Sequence, residues 1–148
     1  YNNAYEHDET GHMTEDPKLR LAMAAKRLKK FDSMKSDMFG PNVFGDSDAE
    51  LTFVTWGSTT GPVLEAMHML QEKGKKVKVI QYTWMYPFPE QKTKELLSAK
   101  SRYINVEQNA MAQLAGLIRE HTSIELTEHL LKNDGRPFYP EEIIERVS

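Results

Sequence analysis

The stretch Leu51–Gly74, LTFVTWGSTTGPVLEAMHMLQEKG, decides the fold. Leu51, Phe53, Val54 and Trp56 make a short apolar, β-branched and aromatic run, which suits a central strand. Gly57 to Gly61 then reverses the chain. Ser58, Thr59 and Thr60 can each cap a helix through a side-chain oxygen. Pro62 fits the first turn, where a helical N–H lacks a partner anyway. Val63, Leu64, Met67 and Leu70 recur at helical spacing, and Gly74 stands where the residue after a helix belongs. Strand, turn and helix form a βα unit, and the exposed N–H groups of Gly57, Ser58, Thr59, Thr60 and Gly61 make the turn a candidate anion site.

The alternation continues toward the C-terminus. Val77, Val79 and Tyr82 mark a second strand, ended by Pro87-Phe88-Pro89 because proline cannot continue a central ladder. Pro89 opens a helix over Glu90 to Ala99. Arg102 to Glu107 is a third strand, and Asn109 caps a helix over Ala110 to His121 with Met111, Leu114, Ala115 and Ile118 as its apolar stripe. A fourth strand is expected within Ile124 to Leu131, then a turn at Asn133-Asp134-Gly135 and a last helix from Glu141 to Val147. Strands alternating with helices over short connections predict an α/β fold, with a mostly parallel sheet in three α/β/α layers. Ligands in such sheets sit at the carboxyl ends of the strands, here Trp56–Gly61, Tyr82–Phe88 and Glu107–Asn109.

The N-terminal third reads differently. Residues 1–16 are polar and aperiodic, an extended arm. Glu6, His7, Asp8, Glu9 and His12 are dense in metal-ligand types, but no H-E-x-x-H spacing is present and no metal site is expected. Asp16-Pro17 starts a helix running to about Met38. Leu21, Ala24, Leu28 and Phe31 form its apolar stripe. The blocks Lys26-Arg27 and Lys29-Lys30 suit either a polyanion such as a cofactor phosphate or, more commonly, a solvated face. Phe39 to Glu50 reads as a linker by its glycines and proline. The organisation expected is arm, helix and linker over 1–48 and a compact domain over 49–148.

Composition narrows the function. The net charge of −3 offers no general basic field for nucleic acid. The chain has no cysteine, which removes disulfides, thiolate zinc sites and cysteine-ligated clusters from this segment and suits a reducing cytoplasm. No apolar run approaches the roughly 20 residues of a membrane span, and no signal peptide is visible. The first residue is Tyr1, which suits a piece of a larger protein.

Gly57–Gly61 fits none of the standard phosphate loops, because no lysine follows and the G-x-G-x-x-G spacing is absent. It is not a nucleophile elbow, since Ser58 directly follows Gly57. No histidine is set beside Ser58 by spacing. Trp56, Trp84, Tyr82, Tyr86 and Phe88 gather at one sheet edge, as core or as interface. Glu107 at a strand end suits a general acid or base, a cation ligand, a cap for backbone N–H groups, or a partner across a subunit boundary.

Taken together, these residues resemble the C-terminal part of the α subunit of 2-oxoacid:ferredoxin oxidoreductases, the pyruvate and 2-oxoglutarate synthase family. The matching segments are Glu6-His7-Asp8-Glu9-x-Gly11-His12, Thr14-Glu15-Asp16-Pro17, Trp56-Gly57-Ser58-Thr59-x-Gly61 and Pro87-Phe88-Pro89. Then come Val106-Glu107-x-Asn109, Gln113-Leu114-Ala115, Asp134-Gly135-Arg136-Pro137-Phe138 and Pro140-Glu141-Glu142-Ile143. They run in order over nearly the whole chain. The resemblance implies a transketolase C-terminal-like domain. It implies a parent complex that oxidatively decarboxylates a 2-oxo acid, makes an acyl-coenzyme A and reduces ferredoxin, using thiamine diphosphate, Mg2+, an iron–sulfur cluster and coenzyme A. The cofactor supplies that chemistry, so this segment is expected to be inactive alone and to bind no cofactor itself. Its implied partners are an N-terminal domain of the same subunit, a β subunit with or without γ and δ subunits, and ferredoxin through the complex. The implied interface residues are Glu6, His7, Asp8, Glu9, Trp56, Trp84, Glu107 and Asn109. The competing expectations are a stand-alone anion- or nucleotide-binding α/β module and a small enzyme using Ser58 or Glu107.

Overall fold

The computed structural model describes residues 5–147. The chain divides into two compact units, meeting in sequence between Met38 and Phe39.

In the first unit, the stretch expected as an extended arm is instead a small hairpin. Strands β1 (Glu6–His7) and β2 (Met13–Thr14) pair antiparallel, Glu6 opposite Thr14 and His7 opposite Met13. Residues 1–4 of the expected arm lie outside the described residues. Helix α1 follows over Pro17–Asp37, capped as its sequence predicts: Asp16 accepts from Lys18 N–H at 2.7 Å and Leu19 N–H at 3.3 Å. The apolar stripe is not a buried one. No residue of α1 is buried, and Leu21 is 73% and Leu28 63% exposed.

The second unit is a five-stranded sheet in the order β3-β5-β4-β6-β7. Its strands are β3 (Asn42–Gly45), β4 (Leu51–Trp56), β5 (Val77–Tyr82), β6 (Arg102–Glu107) and β7 (Glu128–Leu131). All neighbours run parallel except β3, which pairs antiparallel with β5. Helices α2 (Thr60–Glu72) and α5 (Pro140–Val147) cover one face. Helices α3 (Glu90–Leu96) and α4 (Gln113–Thr122) cover the other. Because both faces are buried, adjacent residues of one strand serve opposite cores. Phe53 packs toward Val63, Met67 and Ile143, whereas Val54 packs toward Leu114 and Ile118. This is the expected three-layer α/β fold with a mostly parallel sheet.

Helix α2 ends as Gly74 predicts. Gly74 sits at φ +76°, its N–H bonds Gln71 O at 2.8 Å, and Lys75 N–H bonds Leu70 O at 3.1 Å, the paired closure of a Schellman motif.

Other expectations change. The segment expected as a linker contributes the edge strand β3. Asp46 just beyond it binds β5 in both directions, its N–H donating to Val77 O at 3.0 Å and its carboxylate accepting from Val77 N–H at 3.0 Å. Helix α3 stops at Leu96, short of Ala99. Asn109 does not cap α4, which starts at Gln113, and Met111 lies before that helix at 81% exposure rather than in its stripe.

Candidate functional site

The carboxyl ends of β4 and β6 place Trp56 beside Glu107, because the two strands run parallel with Thr55 opposite Val106. Glu107 is fully buried. Its carboxylate accepts from Trp56 Nε1 at 3.0 Å, Asn105 Nδ2 at 2.7 Å and Asn109 Nδ2 at 2.7 Å. It also accepts from the backbone N–H groups of Leu114 at 3.0 Å and Ala115 at 3.3 Å, in the first turn of α4. Burial pushes this carboxyl up. The Leu114 N–H and the Asn105, Asn109 and Trp56 donors together outweigh burial and hold it below the usual carboxylate value. Glu107 is therefore an ionised internal cap for α4, sitting where the helix dipole favours a negative charge. With both oxygens so occupied, it is a poor general base.

The loop between Glu107 and α4 is shaped by that carboxylate. Asn109 Oδ1 accepts from Met111 N–H at 3.0 Å, and Ala112 takes the left-handed conformation at φ 50°. A non-glycine residue there costs about 1–2 kcal/mol. Ala112→Gly is expected to raise stability in urea denaturation by about 0.5–1 kcal/mol, the relieved strain exceeding the extra freedom of the unfolded chain.

The Gly57–Gly61 turn is built from backbone. Gly57–Thr59 forms a single 3-10 turn running into α2, with Gly57 at φ +60° and Thr60 N–H bonded to Gly57 O. The side-chain caps expected from Ser58, Thr59 or Thr60 do not form, because α2 continues directly from the 3-10 turn and leaves no extended capping residue. Thr59 is buried, Ser58 and Gly61 are exposed, and the Thr60 hydroxyl is buried without a partner among the described residues.

The aromatic group splits. Trp56 is 36% and Trp84 38% exposed, and Tyr86 is exposed as well. Tyr82 is buried, donates to Thr93 Oγ1 at 3.0 Å and is pushed up to about 12 by burial. Its ring stacks on Phe88, which stacks on His121 with centroids 4.8 Å apart. His129 is opposite Asn105 on β7, its Nδ1 3.4 Å from Asn105 Nδ2. No histidine hydrogen-bonds Ser58 among the described residues, so the small-hydrolase reading gains no geometry.

Glu6, His7, Asp8 and Glu9 lie in the hairpin of the first unit. Glu6 forms a two-pronged pair with Arg27 at 2.9 and 2.5 Å, which holds its carboxyl down at about 2. Asp8 Oδ1 accepts from Thr10 N–H at 2.9 Å, Thr10 Oγ1 at 2.7 Å and His12 N–H at 2.9 Å. His7 Nε2 is buried without a partner among the described residues, and Glu9 is exposed. Among the described residues no three His, Cys, Asp or Glu side chains converge as metal ligands.

A family model described as pyruvate:ferredoxin oxidoreductase core domain II matches residues 49–143, well over half of the chain. The chain belongs to that family. The α subunit of 2-oxoacid:ferredoxin oxidoreductase 2 of Aeropyrum pernix is 41% identical over 141 residues, covering 93% of this chain and 22% of that protein. A solved 2-oxoglutarate:ferredoxin oxidoreductase of Magnetococcus marinus holds 2-oxoglutarate, coenzyme A and succinyl-CoA. It superposes with a TM-score of 0.76 at 33% identity, over 98% of this chain and 25% of its own. The chain thus spans about a quarter of the length of these relatives. A transketolase mutant from Pichia stipitis, 16% identical with a TM-score of 0.51 over 73% of this chain and 17% of its own, shares the fold alone.

In this core domain II, two parts of the carboxyl-edge network are invisible to sequence reasoning. Asn105 is a buried polar residue in mid-strand, and Ala112 is an alanine in a conformation that favours glycine. The detectable signal was a Glu at a strand end followed by Asn two residues later, a pairing that supplies both cap and loop.

Proposed function

We propose that the chain is a non-catalytic assembly domain of the α subunit of a thiamine-diphosphate-dependent 2-oxoacid:ferredoxin oxidoreductase. The whole enzyme converts a 2-oxo acid, coenzyme A and oxidised ferredoxin into an acyl-CoA, carbon dioxide and reduced ferredoxin, in the cytoplasm. Its partners are an N-terminal domain of the same subunit, a β subunit with or without γ and δ subunits, and ferredoxin. Thiamine diphosphate with Mg2+ supplies the carbon chemistry and an iron–sulfur cluster accepts the electrons. The residues of this chain do not fit a cluster, because it has no cysteine, nor a metal ion among those described. We assign those groups to other parts of the enzyme.

One observation carries the non-catalytic reading. The buried carboxylate at the carboxyl edge, the natural place for an acid or base in this fold, is consumed by five internal donors. What faces outward there is Trp56 and Trp84, which we assign to contact with a neighbouring domain or subunit. The expected result is no 2-oxo-acid- and CoA-dependent reduction of ferredoxin or viologen dye by residues 1–148. The longer α subunit assembled with its β subunit is active. Turnover by the 148-residue chain alone would overturn the reading.

A further inference from the structure

Helix α1 sorts its cations. Arg27 is tied to Glu6 and Lys35 to Asp32. Lys26 and Lys29, one turn apart, have no ion pair among the described residues, as is also true of Lys18, Arg20 and Lys30; what sets these two apart is that they line one cleft with Asp8 and Glu9. Asp8 Oδ1 receives three donors from its own loop, which holds that carboxylate in the hairpin.

That cleft lies wholly within the first unit, an open surface depression of about 700 Å3, a volume inside the range of roughly 300–1,000 Å3 for small-molecule sites. Leu19, Ala22 and Met23 give it an apolar floor on the same helix face as Lys26 and Lys29. A flexible methionine adapts to a flat ring, and lysines act as point charges for phosphate. Asp8, Glu9 and the Thr10 hydroxyl form the opposite lip. They repel a bare polyanion and favour a ligand whose far end carries hydroxyl or amino donors.

We propose that this cleft binds a phosphorylated ligand with a flat apolar body and hydrogen-bond donors, the chemistry of a nucleotide, with Lys26 and Lys29 on the phosphates and Leu19 and Met23 under the ring. A free nucleotide and the nucleotide end of coenzyme A share that chemistry. The coenzyme A half of the proposal rests on the oxidoreductase reading and the free-nucleotide half does not; binding by the chain and turnover by the assembled enzyme are separate measurements, so either can fail alone.

Isothermal titration of residues 1–148 with ADP, coenzyme A and inorganic pyrophosphate tests it. ADP and coenzyme A are expected to bind saturably below about 1 mM, more weakly as salt is raised. Pyrophosphate is expected to bind at least about tenfold more weakly, lacking the floor contact. Equal affinity for ADP and coenzyme A marks the nucleotide portion as the recognised part. Tighter coenzyme A adds its arm, and either outcome supports the site. Lys26→Glu with Lys29→Glu should cost more than about tenfold in affinity, while Lys30→Glu, outside the cleft, leaves it unchanged. Circular dichroism checks that α1 persists, and Lys26→Gln with Lys29→Gln replaces any variant that loses helicity. The proposal is overturned by no saturable signal with either nucleotide, by pyrophosphate binding as tightly as ADP, or by affinity indifferent to the double substitution.

Discussion

Glu107→Gln is expected to destabilise the chain by about 3 kcal/mol, measured as a lowered urea midpoint with unchanged slope. The substitution keeps the shape and removes the charge. An amide can accept at one oxygen only, while its nitrogen must face some of the donors from Trp56, Asn105, Asn109, Leu114 and Ala115. At least one buried donor loses its partner, and α4 loses the charge that caps it. The pH dependence separates this from generic damage. Glu107 titrates lower in the folded chain than its ordinary 4.5. Its contribution is therefore complete above the unfolded value and lost as pH falls through the folded one. The gap between wild type and Glu107→Gln should shrink below about pH 4.5 and stay constant above it. A gap that persisted undiminished at the lowest pH where both remain folded would show that the carboxylate charge is not what holds the edge together.

Gly45→Ala is expected to cost about 3 kcal/mol or more, and the cause is space as well as conformation. Gly45 ends β3 at φ +90°, and a Cβ there would fall on the Val77 carbonyl oxygen and lie 2.8 Å from Met67 Sδ. That carbonyl accepts the Asp46 N–H, so displacing it breaks the clasp that fastens β3 to β5. Gly135→Ala is the comparison. Gly135 also has positive φ, at +82°, but a Cβ meets nothing within 4 Å. Its substitution should cost only the conformational strain of about 1–2 kcal/mol. Equal losses at the two glycines would rule out the steric account of Gly45.

The parallel heart of the fold was legible because its signals are local. Arg102–Glu107 carries Tyr103, Ile104 and Val106 in a short run with the bounds its sequence predicts, and the Gly74 closure needs only the residues around it. Strand β3 was not legible, since Val43 and Phe44 sit between a proline and a glycine and their pairing partner lies in β5, far along the chain. The hairpin was hidden for another reason. Its strands are two residues each, too short for any period, and a side-chain network at Asp8 shapes the turn. In the site, the sequence points to Glu107 but allows it four roles: acid or base, cation ligand, helix cap or boundary partner. Only the distances show that Leu114 and Ala115, rather than a substrate or a neighbouring subunit, take up its oxygens. Asn109 was read as the cap because it stands nearer the helix, whereas the cap comes from further upstream in the strand.

The antiparallel strand β3 also sets an order of events during synthesis. It leaves the ribosome before every other strand of its sheet, yet Asn42 must wait for Gln81 before it has a partner. Once β5 is made, it closes a shorter loop with β4 and α2 than with β3, so β3 is the later to join. For that interval the nascent chain trails Val43 and Phe44 unpaired, an apolar tag open to wrong neighbours until β5 emerges to receive it.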